Sequence, residues 1–279
     1  MRGHLVLRLT LIVLLGLALP GCRRPGANAV DRGDEATKKG DVEAAVAEFS
    51  EAIRLDPNYV RAYDGRAIAC EGKGQWALAA ADSTEAIRLD PEHPRAYAIR
   101  GLAREGQGDM QRALADFSEA IRLDPADGEA FWSHSVALQA YFHRGGIYAT
   151  REEWDKAVDD FTAALRIDPR HAEAYNNRAV AYVRQRAYDK AIDDCTAAIR
   201  LKPEMADAYN NRGFAYFLKG SLDQALADFN EAICLGPEFA AAYYNRGLAY
   251  KKKGELTKAN RDFAMAEQLS RQGAARGGH

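Results

Sequence analysis

The chain reads AYNNRAVAY from Ala174 to Tyr182 and AYNNRGFAY from Ala208 to Tyr216, 34 residues apart and alike at seven of nine places. The prolines keep the same interval. Pro57, Pro91, Pro125, Pro169, Pro203 and Pro237 are separated by 34, 34, 44, 34 and 34 residues. Five of them follow LD, ID or LK, and the sixth follows LG. A fixed period of this length marks a repeat array, in which one helix pair cannot bury its apolar face alone and stacks on the next. Each proline ends a helix and disfavours helical geometry in the residue before it.

Numbering places 1 to 34 with the proline at place 32 gives seven units: 26–59, 60–93, 94–127, 128–171, 172–205, 206–239 and 240–273. Place 8 is Gly or Ala, places 20 and 27 are Ala in every unit, and Tyr recurs at place 4. Place 24 is Phe in five units (Phe49, Phe117, Phe161, Phe229, Phe263), with Ser83 and Cys195 in the other two. Small residues at places 8, 20 and 27 let two antiparallel helices approach closely, and the Phe fills the gap to the next unit.

This pattern resembles the tetratricopeptide repeat over about residues 26–271. The resemblance implies an all-α fold, a right-handed superhelix of seven helix-turn-helix units. The fourth unit carries ten extra residues. Both EAFWSHSVAL (Glu129–Leu138) and QAYFHRGGIY (Gln139–Tyr148) look like helix starts. The second register is expected to pack. The first, with Phe131 and Trp132, then extends the helix or folds back, either as a partner-contact element or as a tolerated insertion.

One place departs from the family. Its usual Leu at place 7 is Arg in all seven units (Arg32, Arg66, Arg100, Arg144, Arg178, Arg212, Arg246). Sixteen residues later an acid follows every time (Glu48, Asp82, Asp116, Asp160, Asp194, Asp228, Asp262). Place 7 falls on the first helix and place 23 on the second, so the spacing predicts seven ion pairs that tie the two helices together.

Composition bounds the function. With 279 residues, 47% hydrophobic and 28% charged, the chain has ample core for a soluble protein. Its formal net charge of −2 argues against nucleic acid as a partner. Residues 1–21 read as a signal peptide: Arg2 and Arg8 precede the eleven apolar residues LTLIVLLGLAL (Leu9–Leu19). That run is short of the about 20 residues a membrane helix needs. LPGC (Leu19–Cys22) then resembles the bacterial lipobox, which implies lipidation of Cys22, a short linker at 22–25, and anchoring of an exported protein to the cell envelope. Where a cell has two membranes, Arg23 in place of Asp favours the outer one, facing the periplasm. Residues 274–279 are expected to form a disordered tail.

No catalytic, metal or cofactor site is expected, nor a small-molecule substrate. Cys22, Cys70, Cys195 and Cys234 form no CxxC pair, and His134 and His143 are nine residues apart, which does not place them on one helical face. Arg32 and Gly33 of RGD belong to the repeat pattern.

The resemblance implies a peptide-binding concave face, lined by the first helices through places 2, 5, 6, 9, 12 and 13. The candidate residues there are Asn176, Asn177, Val180, Arg184, Asn210, Asn211, Phe214, Tyr244, Asn245, Leu248 and Lys252. An Asn amide donates and accepts, so it can grip a backbone amide. Units ~10 Å apart would meet an extended chain about every third residue. Such a ladder is expected to be solvent-exposed and to leave the fold intact when truncated. Units 2 and 3 have Gly65 and Ile99 at place 6 instead, and units 5 to 7 lack the basic clamp that some relatives use for a C-terminal carboxylate. The expected function is a non-catalytic adaptor for an extended protein segment. Its rival is a structural, pilotin-like lipoprotein subunit that would use its outer faces and array ends.

Cys22→Ser is expected to release the protein from membranes and block its maturation. A wild-type chain whose Cys22 peptide is mostly unmodified by mass spectrometry would show the lipobox reading to be wrong.

Overall fold

The computed structural model describes residues 24–124 and 131–276, the side chains of 131–135 and 274–276 excepted. The leader, Cys22 and residues 277–279 lie outside the described residues. Fourteen helices and no strand occur among the described residues, two helices per unit. The first helices are α1 (Ala27–Lys38), α3 (Val60–Glu71), α5 (Pro94–Gly106), α7 (Phe131–Thr150), α9 (Ala172–Arg184), α11 (Ala206–Lys219) and α13 (Ala240–Lys252). The second helices are α2 (Val42–Leu55), α4 (Trp76–Leu89), α6 (Met110–Leu123), α8 (Trp154–Ile167), α10 (Tyr188–Leu201), α12 (Leu222–Leu235) and α14 (Leu256–Arg276).

Each helix packs on its neighbours in sequence. The first helices of successive units also touch one another, whereas the second helices do not. The first helices therefore line the inner, shorter side of an all-α superhelix. The turn within each unit needs one left-handed residue, at place 15. Five units supply Gly there, such as Gly220 at φ +88°, while Glu152 and Arg186 adopt φ +60° at the cost of backbone strain.

The tight approach of the two helices is written at places 8 and 24. Where place 8 is Gly, place 24 is Phe, and a Cβ on the glycine would stand 2.6–3.0 Å from that ring. Where place 8 is Ala (Ala67, Ala179), place 24 shrinks to Ser83 or Cys195. Volume is thus conserved across the contact in all seven units, as close packing demands. Phe49, Phe117, Phe161 and Phe229 are fully buried. Phe263 is only half-buried, since no further helix packs over it among the described residues.

All seven expected ion pairs form, and six are two-pronged. Nε and Nη2 of Arg66, Arg100, Arg144, Arg178, Arg212 and Arg246 donate to both carboxylate oxygens of their acids at 2.7–3.0 Å. These aspartates are buried, and the Arg side chains are only 15–19% exposed. In five of the six, Nη1 also reaches place 25 of the preceding unit: Ser50, Ser118, Thr162, Thr196 or Asn230. The exception is Arg100, whose Asp116 takes its extra hydrogen bond from Arg104 at 2.6 Å. The place 4 tyrosine rings from Tyr97 onward lie 5.4–5.6 Å from the guanidinium carbons. Arg32 meets Glu48 at 2.7 Å, but that pair is exposed, with no preceding helix pair over it among the described residues.

Two details go beyond the sequence reading. The insertion in unit 4 extends α7 to 20 residues rather than folding back. At the other end α14 runs to Arg276, so residues 274–276 continue the helix instead of beginning a disordered tail. Ala274 and Ala275 are strong helix formers, which favours this continuation.

Arg212→Ala leaves Asp228 buried without its cation, so it is expected to destabilise the array by about 3 kcal/mol. Arg32→Ala should cost far less. Equal shifts in the urea midpoints of the two variants would contradict this account.

Candidate functional site

The C-terminal half of the inner face holds a groove of about 510 Å³. Six of the eleven expected residues line it: Val180, Arg184, Asn210, Asn211, Phe214 and Asn245. Helix α9 supplies Val180 and Arg184, α11 supplies Phe214 and two asparagines, and α13 supplies Asn245. The other five lie outside the lining. Asn176 is buried, Asn177 and Leu248 are half-buried, and Tyr244 is 53% exposed with its ring centroid 5.6 Å from that of Phe263. The Lys252 ammonium stands 5.0 Å from the centre of the Phe217 ring.

The asparagines depart from the expected open ladder. Asn211 Nδ2 donates to Asn176 Oδ1 at 2.9 Å, and Asn245 Nδ2 donates to Asn210 Oδ1 at 2.9 Å. The place 6 amide of one unit thus caps the place 5 amide of the unit before. Asn176 and Asn210 are only 6% and 7% exposed. The pairs brace neighbouring repeats first, and only their remaining valences face the groove. Asn177 makes no such bond among the described residues, because the residue before it in this register is Phe142. The reason the sequence misled is geometric: helix–helix approach in the array turns place 5 inward, and a helical wheel of one unit does not show that.

The structure adds Val183, Arg186, Tyr188 and Leu218 to the lining. Val183 and Leu218 fall at places 12 and 13, so the helical stripe already contained them. Arg186 and Tyr188 lie in and just after the turn, where no helical periodicity points. Arg186 occupies the strained left-handed place that five units give to Gly, and its side chain lines the groove. Arg184 stacks over Trp154 at 5.6 Å. Neither arginine has a carboxylate within ion-pair distance among the described residues. The groove is therefore apolar along Val180, Val183, Phe214 and Leu218, with uncompensated positive charge at one rim.

The two buried thiols are not activated. Burial pushes the Cys195 thiol up to about 12, and burial likewise raises that of Cys70. Such thiols stay protonated and are poor nucleophiles. Among the described residues no group of three or more His, Cys, Asp or Glu could hold a metal ion, and no helix is long and apolar enough to cross a membrane.

An inner face lined by the first helices of stacked helix pairs and carrying a groove defines a helical-repeat protein. Three tetratricopeptide sequence families match it. One described as "TPR repeat" covers residues 33–74 and 215–254, and two described as "Tetratricopeptide repeat" cover 71–128 with 144–206, and 240–271. The chain is a tetratricopeptide repeat protein. No curated protein matches it. Among solved structures it is similar to MamA, at 26% identity and a TM-score of 0.53, covering 63% of this chain and 96% of that one. It is similar to YrrB, titled a TPR protein with an unusual peptide-binding site, at 24% identity and a TM-score of 0.54, covering 67% and 91%. It also shares the fold of Pseudomonas aeruginosa pilF, at 15% identity and a TM-score of 0.67, covering 78% and 94%.

Asn211→Ala removes the donor to a buried acceptor and is expected to cost about 1–2 kcal/mol of stability. Asn177→Ala, with no bond to lose, should stay within about 0.5 kcal/mol. Thermal melts that rank the two the other way would restore the open ladder.

Proposed function

We propose that the chain is a non-catalytic adaptor that holds an extended segment of a partner protein in the groove between α9, α11 and α13. The observation that carries this reading is the strained Arg186. A non-glycine residue in the left-handed region costs of order 1 kcal/mol, and such strain is retained where the side chain has a task. Here the side chain lines an apolar groove whose cations have no carboxylate partner among the described residues. The complementary ligand is a segment with an apolar anchor at Phe214 and an acidic residue toward Arg184 and Arg186. The asparagine pairs keep the repeats at fixed spacing, so the groove is formed before its ligand arrives and less ordering entropy is lost on binding. The likeness to YrrB speaks for the fold, and the argument for binding stands on this groove.

We further propose an exported protein held at a bacterial envelope membrane through lipidated Cys22. The support is the lipobox-like LPGC and the short apolar run before it. Helix α1 begins at Ala27, five residues after Cys22, so this end would lie close to the bilayer.

The rival assembly-subunit reading places contacts on the second helices. A photocrosslinking residue at Phe214, compared with one at the exposed outer position Leu78, separates the two in the intact host cell. The adaptor requires a protein adduct from position 214. Adducts from position 78 alone would move the assembly subunit ahead.

A further inference from the structure

The other half of the inner face holds a chamber that the repeat pattern alone does not make. It measures about 710 Å³, and its apolar walls are Ile68, Ile99, Leu102 and Val136. Val136 belongs to the extra stretch Glu129–Leu138. It is buried against the core cluster that contains Leu114, Phe117 and Ile121, while Gln139, three residues further along α7, also lines the chamber. The ten-residue insertion thus closes one wall of a cavity, a use for it that its sequence leaves open.

One carboxylate in this chamber is unspent. Glu71, at place 12 of unit 2, lines it and makes no hydrogen bond or ion pair among the described residues. Its counterpart in unit 3, Glu105, holds His143 at 2.9 Å, so that imidazole is already engaged. Glu71 is half-buried, and burial pushes its carboxyl above the usual range, with His143 pulling weakly the other way. His93, another wall residue, is bound to Asp64 at 2.5 Å. Asp64 is 5% exposed and its Oδ1 is buried without a hydrogen-bond partner, so the charge of His93 is offset from behind. Arg95 stands exposed at the mouth and forms no ion pair with Glu71, and Asp124 adds a further acid to the lining. A desolvated carboxylate in an apolar chamber calls for a cation on an apolar stem. Lys and Arg have that shape, with methylenes that lie along apolar walls while the head reaches a charge.

We propose that this chamber is a second subsite of the groove, which takes a Lys or Arg side chain of the same extended segment whose apolar residue docks at Phe214. The inference rests on the peptide-binding reading above. The two subsites are three to four units apart. At ~10 Å per unit and about 3.3 Å per residue, the basic residue lies roughly ten residues from the apolar anchor. Opposite charge at the two ends, Glu71 in one half and Arg184 with Arg186 in the other, would then fix the direction in which the segment lies.

The test is a selection of random peptides of about 16 residues on the full chain in detergent, followed by affinity measurements on wild type, Glu71→Gln and Phe214→Ala. The proposal expects selected peptides to share a basic residue. Replacing that residue by norleucine should weaken binding to wild type at least tenfold, the size of a charge-assisted bond, and should change binding to Glu71→Gln little. Peptides without a common basic residue, or equal norleucine losses on wild type and Glu71→Gln, would overturn it. Peptides that bind but ignore Phe214→Ala would count against the C-terminal groove while leaving the Glu71 coupling to be read directly. A library that yields no binder overturns both readings.

Discussion

From unit 2 onward, the guanidinium at place 7 does up to three jobs at once. It neutralises an aspartate that would otherwise be buried with a bare charge, it fixes how far the two helices of its unit stand apart, and in most units it reaches back to a hydroxyl or amide on the preceding unit. The family's usual Leu would fill the same space with less desolvation cost, and a buried ion pair is weak evidence of added stability. Its geometry is what distinguishes it. A two-pronged Arg–Asp contact is satisfied in one relative placement of two helices, and the third bond fixes the next unit against them. In an array of seven near-identical units, that directional demand opposes slippage between repeats in a way that Leu packing does not.

The glycine and phenylalanine contact depends on the placement the arginines set. A ring at place 24 fits only if place 8 has no Cβ, and where Cβ is present the ring is gone. Unit 2 shows how far this reaches. Phe49 lies against Gly33 of its own unit and also against Gly65 of the next, where a Cβ would stand 2.4 Å from the ring. The missing place 6 side chain in unit 2 is therefore a packing requirement, and it is also why that unit cannot join the asparagine pairs of units 5 to 7.

The inner face consequently has two unlike halves. In the C-terminal half, asparagine pairs fix the spacing of α9, α11 and α13, and the strained turn at Arg186 brings a cation to the rim. In the N-terminal half, the lengthened α7 walls off a chamber lined by Glu71, which has no ion-pair partner among the described residues. The same repeat thus places opposite charges in the two halves of one face, and the differences arise from places that the shared pattern leaves free.

The sequence by itself determined the fold class, the unit boundaries, all seven Arg–acid pairs and the stripe that carries most groove residues. These are legible because a 34-residue period repeats one local environment seven times, so each place is read seven times over. What only the tertiary structure decided are the contacts between units that are not periodic. The reach of Arg Nη1 to the preceding unit, the burial of Asn176 and Asn210, the entry of Arg186 into the groove and the wall made by Val136 all depend on how far one helix pair rotates against the next. That rotation is set by packing between units, through helix–helix distances and side-chain volumes summed across the interface, and no spacing along a single unit encodes it.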